Sequence, residues 1–202
     1  ALAATYKVSR NTLRQALAIL CQDGYIYKHQ GKGTYVSYDS HKKEEKNLYN
    51  FLMDCAKEPI LNVTADYNFG KPTLIAREKL KLEPEEEVLA SNNVYWGEEG
   101  PVGQAFLQIP VRLLDDLGIQ RDSEEALVRF MNEQLYQQAA TGEMIIQAAG
   151  ADEQVVSYMK IEEGTMLLYI EQILFGREGR PLARVKYYFL PDKYKVDCRL
   201  QA

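Results

Sequence analysis

The sequence contains few of the residues that build metal centres and disulfide frameworks. Of its 202 residues only three are cysteines and two are histidines. The cysteines, Cys21, Cys55 and Cys198, are odd in number and far apart, and no Cys-x-x-Cys pair occurs. We therefore predict neither a zinc site nor a disulfide framework. We expect no metal, no cofactor and a reducing, cytoplasmic environment.

Long apolar runs are also missing. No stretch of about 18 consecutive apolar residues occurs, which is the length that would indicate a transmembrane helix, and no signal peptide is visible. We therefore expect no membrane partner. The apolar fraction of 46% is enough for a real core, and the length predicts one large domain or two small ones.

An overall excess of positive charge is absent, since 24 Lys and Arg stand against 29 Asp and Glu and the net charge is −5. Taken over the whole chain, this value argues against binding to DNA. The charge is unevenly distributed, however: residues 1–46 carry 8 Lys/Arg against 4 Asp/Glu, and residues 47–202 carry 16 against 25. The N-terminal segment would therefore attract phosphate groups. A chance excess of charge on a short segment is the alternative interpretation.

The segment Val8–Val36, VSRNTLRQALAILCQDGYIYKHQGKGTYV, has the pattern of a capped helix followed by a β-hairpin. Ser9 is a typical N-cap residue, because its hydroxyl can accept a bond from a free amide of the first turn. Leucines at helical spacing predict one apolar face: Leu13, Leu17 and Leu20. Polar side chains fall off that face near the start of the helix: Arg10, Asn11 and Arg14.

Glycines lie at the predicted turns in the second half of this segment. Gly24 is predicted to end the helix in the left-handed conformation that glycine tolerates. Two short β runs follow, at residues 25–29 and 34–38, joined by the tip Gln30-Gly31-Lys32-Gly33. A helix whose first residues include arginines suits base edges in the major groove, where arginine pairs with guanine. The alternative is an amphipathic helix with a solvated basic edge and an ordinary hairpin.

The motifs SRNTLRQAL, DGYI and QGKGTYV resemble the winged helix-turn-helix of GntR-type bacterial transcription regulators. That resemblance implies major-groove contacts for Ser9, Arg10, Asn11, Thr12 and Arg14. It implies a wing tip near the minor groove at Gln30, Gly31 and Lys32. The family has a further helix ahead of the position that is Ala1 here, and Ala1 is not an initiator methionine. We therefore expect this chain to be part of a longer protein.

A polar, charged stretch separates the two compositions and is predicted to be a linker and hinge. We expect a partial winged helix-turn-helix domain at 1–38, a linker at 39–47 and a second domain at 48–202. The second domain contains a weak internal repeat, Leu80–Pro110 and Met159–Pro191, and each copy has a strand, a hairpin with proline and another strand. This pattern predicts an α+β fold with an antiparallel sheet. Helices are expected at residues 123–137 and 152–160.

The second domain also resembles a known family. The pattern YMKIEEGTxLLYIEQxxFxxEGRPLA, followed by YYxLPDKYK, looks like the UTRA effector-binding domain of the HutC branch of GntR regulators. The resemblance implies a fold similar to chorismate lyase. Asp192 and Tyr194 match a recurrent Asp-Arg-Tyr of the family, with Lys193 in place of the arginine.

The resemblance implies a ligand pocket between the two equivalent hairpins. Members that hold a phosphate use two arginines at the positions of Asn93 and Tyr95, and sugar-binding members place a glutamate at the position of Ala105. A phosphosugar effector is therefore less expected here. The candidate effector-binding residues are Asn93, Tyr95, Glu171, Gln172, Lys186, Tyr188 and Tyr194. Alternatively the tyrosines are core residues, and Lys186 forms a solvent-exposed ion pair with Glu171.

These features favour a ligand-responsive transcription regulator, expected to be a repressor. Its partners would be a palindromic double-stranded operator, a second copy of the chain and a small-molecule effector, because a two-fold protein matches two half-sites. A second hypothesis is a lyase-like enzyme domain, although no catalytic residues have recognisable spacing. A third is an architectural DNA-binding protein without a ligand.

Overall fold

The computed structural model describes residues 2–22, 26–29, 33–36, 48 and 50–196. The chain divides into two compact units, residues 1–45 and 46–202. Among the described residues, no helix is long and apolar enough to cross a membrane.

The N-terminal unit contains two helices followed by a two-stranded antiparallel hairpin: α1 (Leu2–Thr5), α2 (Arg10–Gln22), β1 (Ile26–His29) and β2 (Gly33–Val36). Lys7 turns the chain between the helices with a positive φ of 52°. The amide of Thr12 donates to Ser9 Oγ at 3.0 Å, which confirms Ser9 as the predicted cap of α2. Leu13 and Leu17 are half-buried, whereas Leu20 is exposed.

Several predicted features of this unit lie outside the described residues. They include the helix-ending Gly24, Tyr25 at the start of the first β run, the linker at 39–47, and the hairpin tip Gln30, Gly31 and Lys32.

The second unit is α+β and is built on one six-stranded antiparallel sheet in the order β3-β4-β5-β8-β7-β6. Its strands are β3 (Asn62–Gly70), β4 (Val88–Trp96), β5 (Pro101–Pro110), β6 (Thr141–Gly150), β7 (Met166–Phe175) and β8 (Pro181–Phe189). Its helices are α3 (Phe51–Asp54), α4 (Leu74–Leu80), α5 (Val111–Asp116), α6 (Glu124–Arg129), α7 (Leu135–Gln138) and α8 (Glu153–Met159), and a π-helical turn, Phe130–Gln134, joins α6 to α7.

The palindromic strand order reflects the internal repeat, which the structure extends beyond the predicted segments. One copy is β3-α4-β4-β5 and the other is β6-α8-β7-β8. Thr73 and Asp152 cap the equivalent helices α4 and α8 with their side chains, and Lys81 and Lys160 end those helices in the left-handed conformation. β5 and β8 pair at the centre of the sheet, where the two copies meet.

The two faces of the sheet are covered by different helices. We call the face against the connection from α5 to α7 the crossover face. Its core includes four residues of the region predicted to be helical at 123–137, all fully buried: Leu127, Phe130, Met131 and Leu135. That region was expected to be one helix and instead consists of α6, the π-helical turn and α7. We call the other face, against which α4 and α8 pack, the repeat-helix face.

Candidate DNA-binding and effector sites

The first turns of α2 present exposed polar side chains. Arg10, Asn11 and Arg14 are all exposed, and α2 has no acidic residue in its first turn. Ser9 and Thr12 are also exposed, but their hydroxyl groups lie 2.8 Å apart, and Ser9 Oγ accepts the amide of Thr12. The cap therefore fixes the start of the helix and leaves the two arginines and Asn11 free to reach a ligand in solution.

The seven predicted effector-binding residues do not form a single pocket. Successive side chains of a strand point to opposite faces of the sheet, so that Glu171 and Gln172 of β7 are separated by the sheet itself. The strand pairing places three of the candidates on the crossover face: Asn93, Tyr95 and Gln172. It places three others on the repeat-helix face: Glu171, Lys186 and Tyr188. The expectation of one shared pocket is therefore corrected to two separate groups.

Tyr194, the seventh candidate, follows β8 and lies on the crossover side. Its side chain is buried against the ring of Phe189, with ring centroids 4.8 Å apart. Its hydroxyl donates to the backbone oxygen of Leu52 at 3.3 Å. Tyr194 therefore holds α3 against the sheet.

A buried polar network occupies the crossover face beside Tyr95. Asn50 Nδ2 lies 3.2 Å from the Tyr95 hydroxyl oxygen and 3.3 Å from both Asn132 O and Asn132 Oδ1. The Tyr95 hydroxyl in turn donates to Asn132 Oδ1. Asn132 lies in the π-helical turn, a type of irregularity that is frequent at functional sites. Three distant parts of the chain, the segment ahead of α3, β4 and the π-helical turn, are thus joined by side chains.

Further polar groups on this face surround the network. Asn93 Oδ1 accepts the Ser91 hydroxyl at 2.6 Å, while Asn93 Nδ2 is buried and has no hydrogen-bond partner among the described residues. The Tyr187 hydroxyl lies 2.7 Å from that of Tyr136 and donates to Gln172 Oε1 at 3.1 Å. Buried polar groups are normally satisfied, and Asn93 Nδ2 is a donor of this face without an acceptor within hydrogen-bond distance among the described residues.

The network is uncharged. Burial raises the pKa of the Tyr95 hydroxyl to about 12, and it also raises the pKa values of Tyr136 and Tyr187. These groups are therefore neutral hydrogen-bonding partners at physiological pH. Asp54 is a charged residue beside the network, and its Oδ2 accepts the backbone amide of Asn50 at 3.1 Å.

Sequence reasoning did not identify Asn50, Asn132, Tyr136 or Tyr187. Asn50 has a detectable local signal, because it precedes an apolar run and its side chain accepts the amide of Leu52 as the cap of α3. Asn132 has no such signal, because regular helical spacing does not predict a π-helical turn. The positions of Tyr136 and Tyr187 depend on how the crossover helices pack on the sheet.

The repeat-helix face carries charged groups. Arg184 Nε donates to Glu171 Oε1 at 2.6 Å, and Arg184 Nη1 donates to Gln108 Oε1 at 3.1 Å. Burial acts to raise the pKa of Glu171, but the hydrogen bond and charge of Arg184 outweigh it and hold that pKa below its ordinary value. Lys186 is half-buried in the same row of the sheet, opposite Glu171.

Within the described part of the chain, no group of three or more His, Cys, Asp or Glu side chains is arranged to hold a metal ion.

Comparisons with known proteins match both units. The UTRA domain family matches residues 71–195, and the gntR family of bacterial regulatory proteins matches residues 1–36. A Bacillus subtilis protein, the uncharacterized HTH-type transcriptional regulator YurK, is 24% identical over 180 residues, which are 88% of this chain and 74% of YurK. The HTH-type transcriptional regulator Rv0792c of Mycobacterium tuberculosis is 24% identical over 200 residues, which are 96% of this chain and 72% of that protein.

Solved structures share the fold. The crystal structure of PhnF from Mycobacterium smegmatis has a TM-score of 0.63 at 16% identity and covers 99% of this chain and 88% of its own. The possible transcriptional regulator YydK from Bacillus subtilis has a TM-score of 0.57 at 20% identity and covers 100% of this chain and 86% of its own.

Proposed function

Because this chain belongs to the GntR family of bacterial regulators and carries a UTRA domain, we propose that it is a repressor that binds a palindromic operator as a homodimer. The comparisons establish that the chain is a ligand-responsive, DNA-binding transcription regulator. The winged helix-turn-helix match ahead of the UTRA match supports the HutC branch. The six-stranded antiparallel sheet supports a chorismate lyase-like fold. We also propose that it works in the cytoplasm, because its proposed partner is operator DNA.

The exposed start of α2 is the observation that carries the DNA-binding proposal. Arg10, Asn11 and Arg14 are solvent-exposed on a helix whose first turn is fixed by the Ser9 cap. An arginine held in this way can form two hydrogen bonds to one guanine. Ser9, Thr12 and the wing residues Gln30, Gly31 and Lys32 complete the proposed interface, in which the shorter side chains contact the backbone of the duplex.

Selection of an operator from random-sequence duplexes, followed by affinity measurements at fixed salt, tests this proposal. Arg10→Ala and Arg14→Ala should each weaken operator binding by roughly 1–3 kcal/mol, about 5- to 150-fold. Arg129→Ala removes an exposed arginine from α6 and should leave affinity unchanged. Unchanged operator affinity in both α2 variants would refute the base-reading role.

The effector site that we propose is the polar network of the crossover face. Asn93 Nδ2 is an unused donor there, and Tyr95, Asn132 and Gln172 have hydrogen bonds that a ligand could replace. Since Asn93 and Tyr95 stand where phosphate-binding relatives have arginines, we expect a neutral ligand with hydroxyl or amide groups. Tyr194 acts beside this site by holding α3.

Asn50 gives this site a route to the DNA-binding unit. It is the first described residue of the segment ahead of α3 whose side chain contacts the network, and the predicted linker immediately precedes that segment. An effector that competes for Tyr95 and Asn132 would release Asn50. The effector shifts the equilibrium only by its difference in affinity for the two states, so the bonds of Asn50 are part of what it must replace.

The homodimer that we propose is formed through β6. Within the described residues, β6 pairs with β7 alone, and three consecutive apolar side chains on it are exposed: Met144, Ile145 and Ile146. The equivalent edge strand β3 is protected, because its inward residues pack on the core and polar residues such as Asp66 alternate with them. An exposed apolar edge is a template for pairing with another strand.

A second copy of β6 suits this edge. Antiparallel pairing centred between Ile145 and Ile146 sets these two residues opposite each other. It also sets Glu143, the one charged residue of the strand, opposite Ala148 of the other copy. No like charges then meet, and the apolar centre is covered on both copies.

We further propose that the chain is not an enzyme. The residues of the sheet that could act as acid–base groups are Glu171, Arg184 and Lys186. Glu171 and Arg184 are engaged with each other, and Tyr169 also donates to Glu171 at 3.3 Å. The lowered pKa of Glu171 makes it a poor proton donor at neutral pH. Turnover of chorismate by the purified chain would overturn this proposal.

A further inference from the structure

The repeat-helix face has a polar floor at the centre of the sheet. Asn92, Phe106, Lys186 and Glu171 stand side by side across β4, β5, β8 and β7. α8 packs beside this row through Val155 and Met159, which cluster with Tyr188, and α4 packs on β8. The four side chains of this row are each half-buried, and they lie on the side of the sheet away from the crossover-face network.

Two groups on this floor lack a complementary partner. Gln104 is 1% exposed, and its Nε2 donates to Asn92 Oδ1 at 2.9 Å, yet its Oε1 is buried without a hydrogen bond from any described residue. Lys186 Nζ lies 5.9 Å from the ring centroid of Phe106. None of the ion pairs found among the described residues includes Lys186, because the opposite carboxylate of Glu171 is bound to Arg184.

Lys186 is a cation of this floor that no ion pair neutralises within the described residues. Arg184 and Glu171 pair with each other, and Asp152, the other carboxylate that acts on Lys186, accepts the backbone amide of Val155 through Oδ1. Burial lowers the pKa of Lys186, and the nearby Arg184 lowers it further, while the carboxylates of Glu171 and Asp152 act to raise it. A buried acceptor without a donor is unfavourable, because it has lost its hydrogen bonds to water. A molecule that supplies both an anion and a donor would satisfy both groups together.

The spacing of these groups limits the size of that molecule. Gln104 pairs with Tyr188 and Phe106 pairs with Lys186, so Gln104 and Lys186 are diagonal neighbours on adjacent strands, roughly 7–8 Å apart between backbones. A chain of a few carbon atoms spans that distance. Sulfate supplies an anion but no donor for Gln104 Oε1, whereas a hydroxycarboxylate supplies both.

We propose that the repeat-helix face holds a second ligand site, distinct from the effector site of the crossover face, for a small hydroxycarboxylate. The carboxylate binds the ammonium group of Lys186, and the hydroxyl donates to Gln104 Oε1. Phe106 and Tyr188 provide the apolar surroundings. The regulator then senses two chemically different molecules on the two faces of one sheet.

Calorimetric titration of the full chain with matched acids tests this site. Malate and lactate should bind at least about 5-fold more tightly than succinate and propionate, which lack the hydroxyl, since one hydrogen bond contributes about 1 kcal/mol. Gln104→Met should abolish this preference. Lys186→Met should weaken malate binding by about 10-fold or more, Lys186→Arg should retain it, and Lys195→Met, which removes an exposed lysine, should have no effect.

Several results would overturn the proposal. They are no binding of any of the four acids at millimolar concentration, equal affinity for malate and succinate, sulfate binding as tight as malate binding, or unchanged affinity in both Lys186→Met and Gln104→Met. Asn93→Leu changes only the crossover face and should leave malate binding intact. Loss of malate binding in Asn93→Leu would show that the two faces share one site. Loss of operator binding while malate binding is intact would concern only the proposed repressor function.

Discussion

Asn50 Nδ2 lies 3.2 Å from the hydroxyl oxygen of Tyr95, and this contact ties the segment that enters the UTRA domain to the second strand of its sheet. Both groups are buried and neutral. Asn132 of the π-helical turn completes the triangle. The same three residues therefore join the first segment of the domain to the sheet and to the crossover helices.

Tyr95→Phe removes one hydroxyl from this triangle. Asn50 and Asn132 can still bond to each other, so the free energy of unfolding should fall by only about 1 kcal/mol. Urea denaturation of the full chain measures the change. A loss as large as that of a large-to-small core substitution, roughly 3–5 kcal/mol, would show that the hydroxyl does more than complete the triangle.

Gly103→Ala tests how closely α3 approaches the sheet. A Cβ atom at Gly103 would lie 2.1 Å from Leu52 Cδ2 and 3.1 Å from the Tyr194 hydroxyl. The substitution must therefore displace Leu52, and we expect it to lower the free energy of unfolding by about 1–3 kcal/mol. Gly118→Ala is unsuitable as a control, because Gly118 has a φ of 66°, which residues other than glycine rarely adopt. Gly70→Ala is suitable, since nothing lies within 4 Å of the added atom, and equal stability losses in the two variants would contradict the prediction.

The pair formed by Glu171 and Arg184 should make stability depend on pH. The pKa of Glu171 is lower in the folded chain than its ordinary value, so its contribution is present above the ordinary pKa and is lost as pH falls through the folded value. Glu171→Gln should therefore be less stable than the parent at neutral pH, and the difference should shrink in acid. Thermal unfolding across this range measures it, and a difference that grows as pH falls would contradict the assignment.

Ile145→Lys places a charge at the centre of the exposed β6 edge and should convert the proposed dimer into a monomer, because a buried lysine on a strand edge opposes pairing. Leu74→Lys changes an apolar residue of α4 that is 79% exposed and should leave the dimer intact. Light scattering after gel filtration measures the mass. A parent chain that is monomeric, or a dimer that survives Ile145→Lys, would contradict pairing through β6.

The sequence predicts those parts of this fold that depend on local patterns. Ser9 and Ser123 cap helices where hydroxyl residues precede apolar spacing, and the prolines that begin β5 and β8 mark the repeat. The split of Glu171 from Gln172 could also have been foreseen, because strand periodicity alone assigns them to opposite faces. The family resemblance implies a single pocket and so favours the opposite expectation.

Other parts depend on long-range packing. Asn132 reaches Asn50 only because the helical region contains a π-helical turn, and no spacing in the sequence predicts that irregularity. The unpartnered state of Gln104 Oε1 depends on which side chains of three neighbouring strands meet it. Such features require the register of the whole sheet.

Operator affinity of Asn50→Ala, measured by fluorescence anisotropy on the full chain, tests most directly whether the UTRA domain controls the DNA-binding unit. Asn68→Ala, an exposed change on β3, is the matched control, and thermal unfolding establishes that both variants are folded. Release of the Asn50 side chain should imitate the effector and weaken operator binding at least about 5-fold, the lower end of typical coupling between sites. Operator affinity equal to that of the parent chain in a folded Asn50→Ala variant would contradict this coupling and favour an architectural DNA-binding protein.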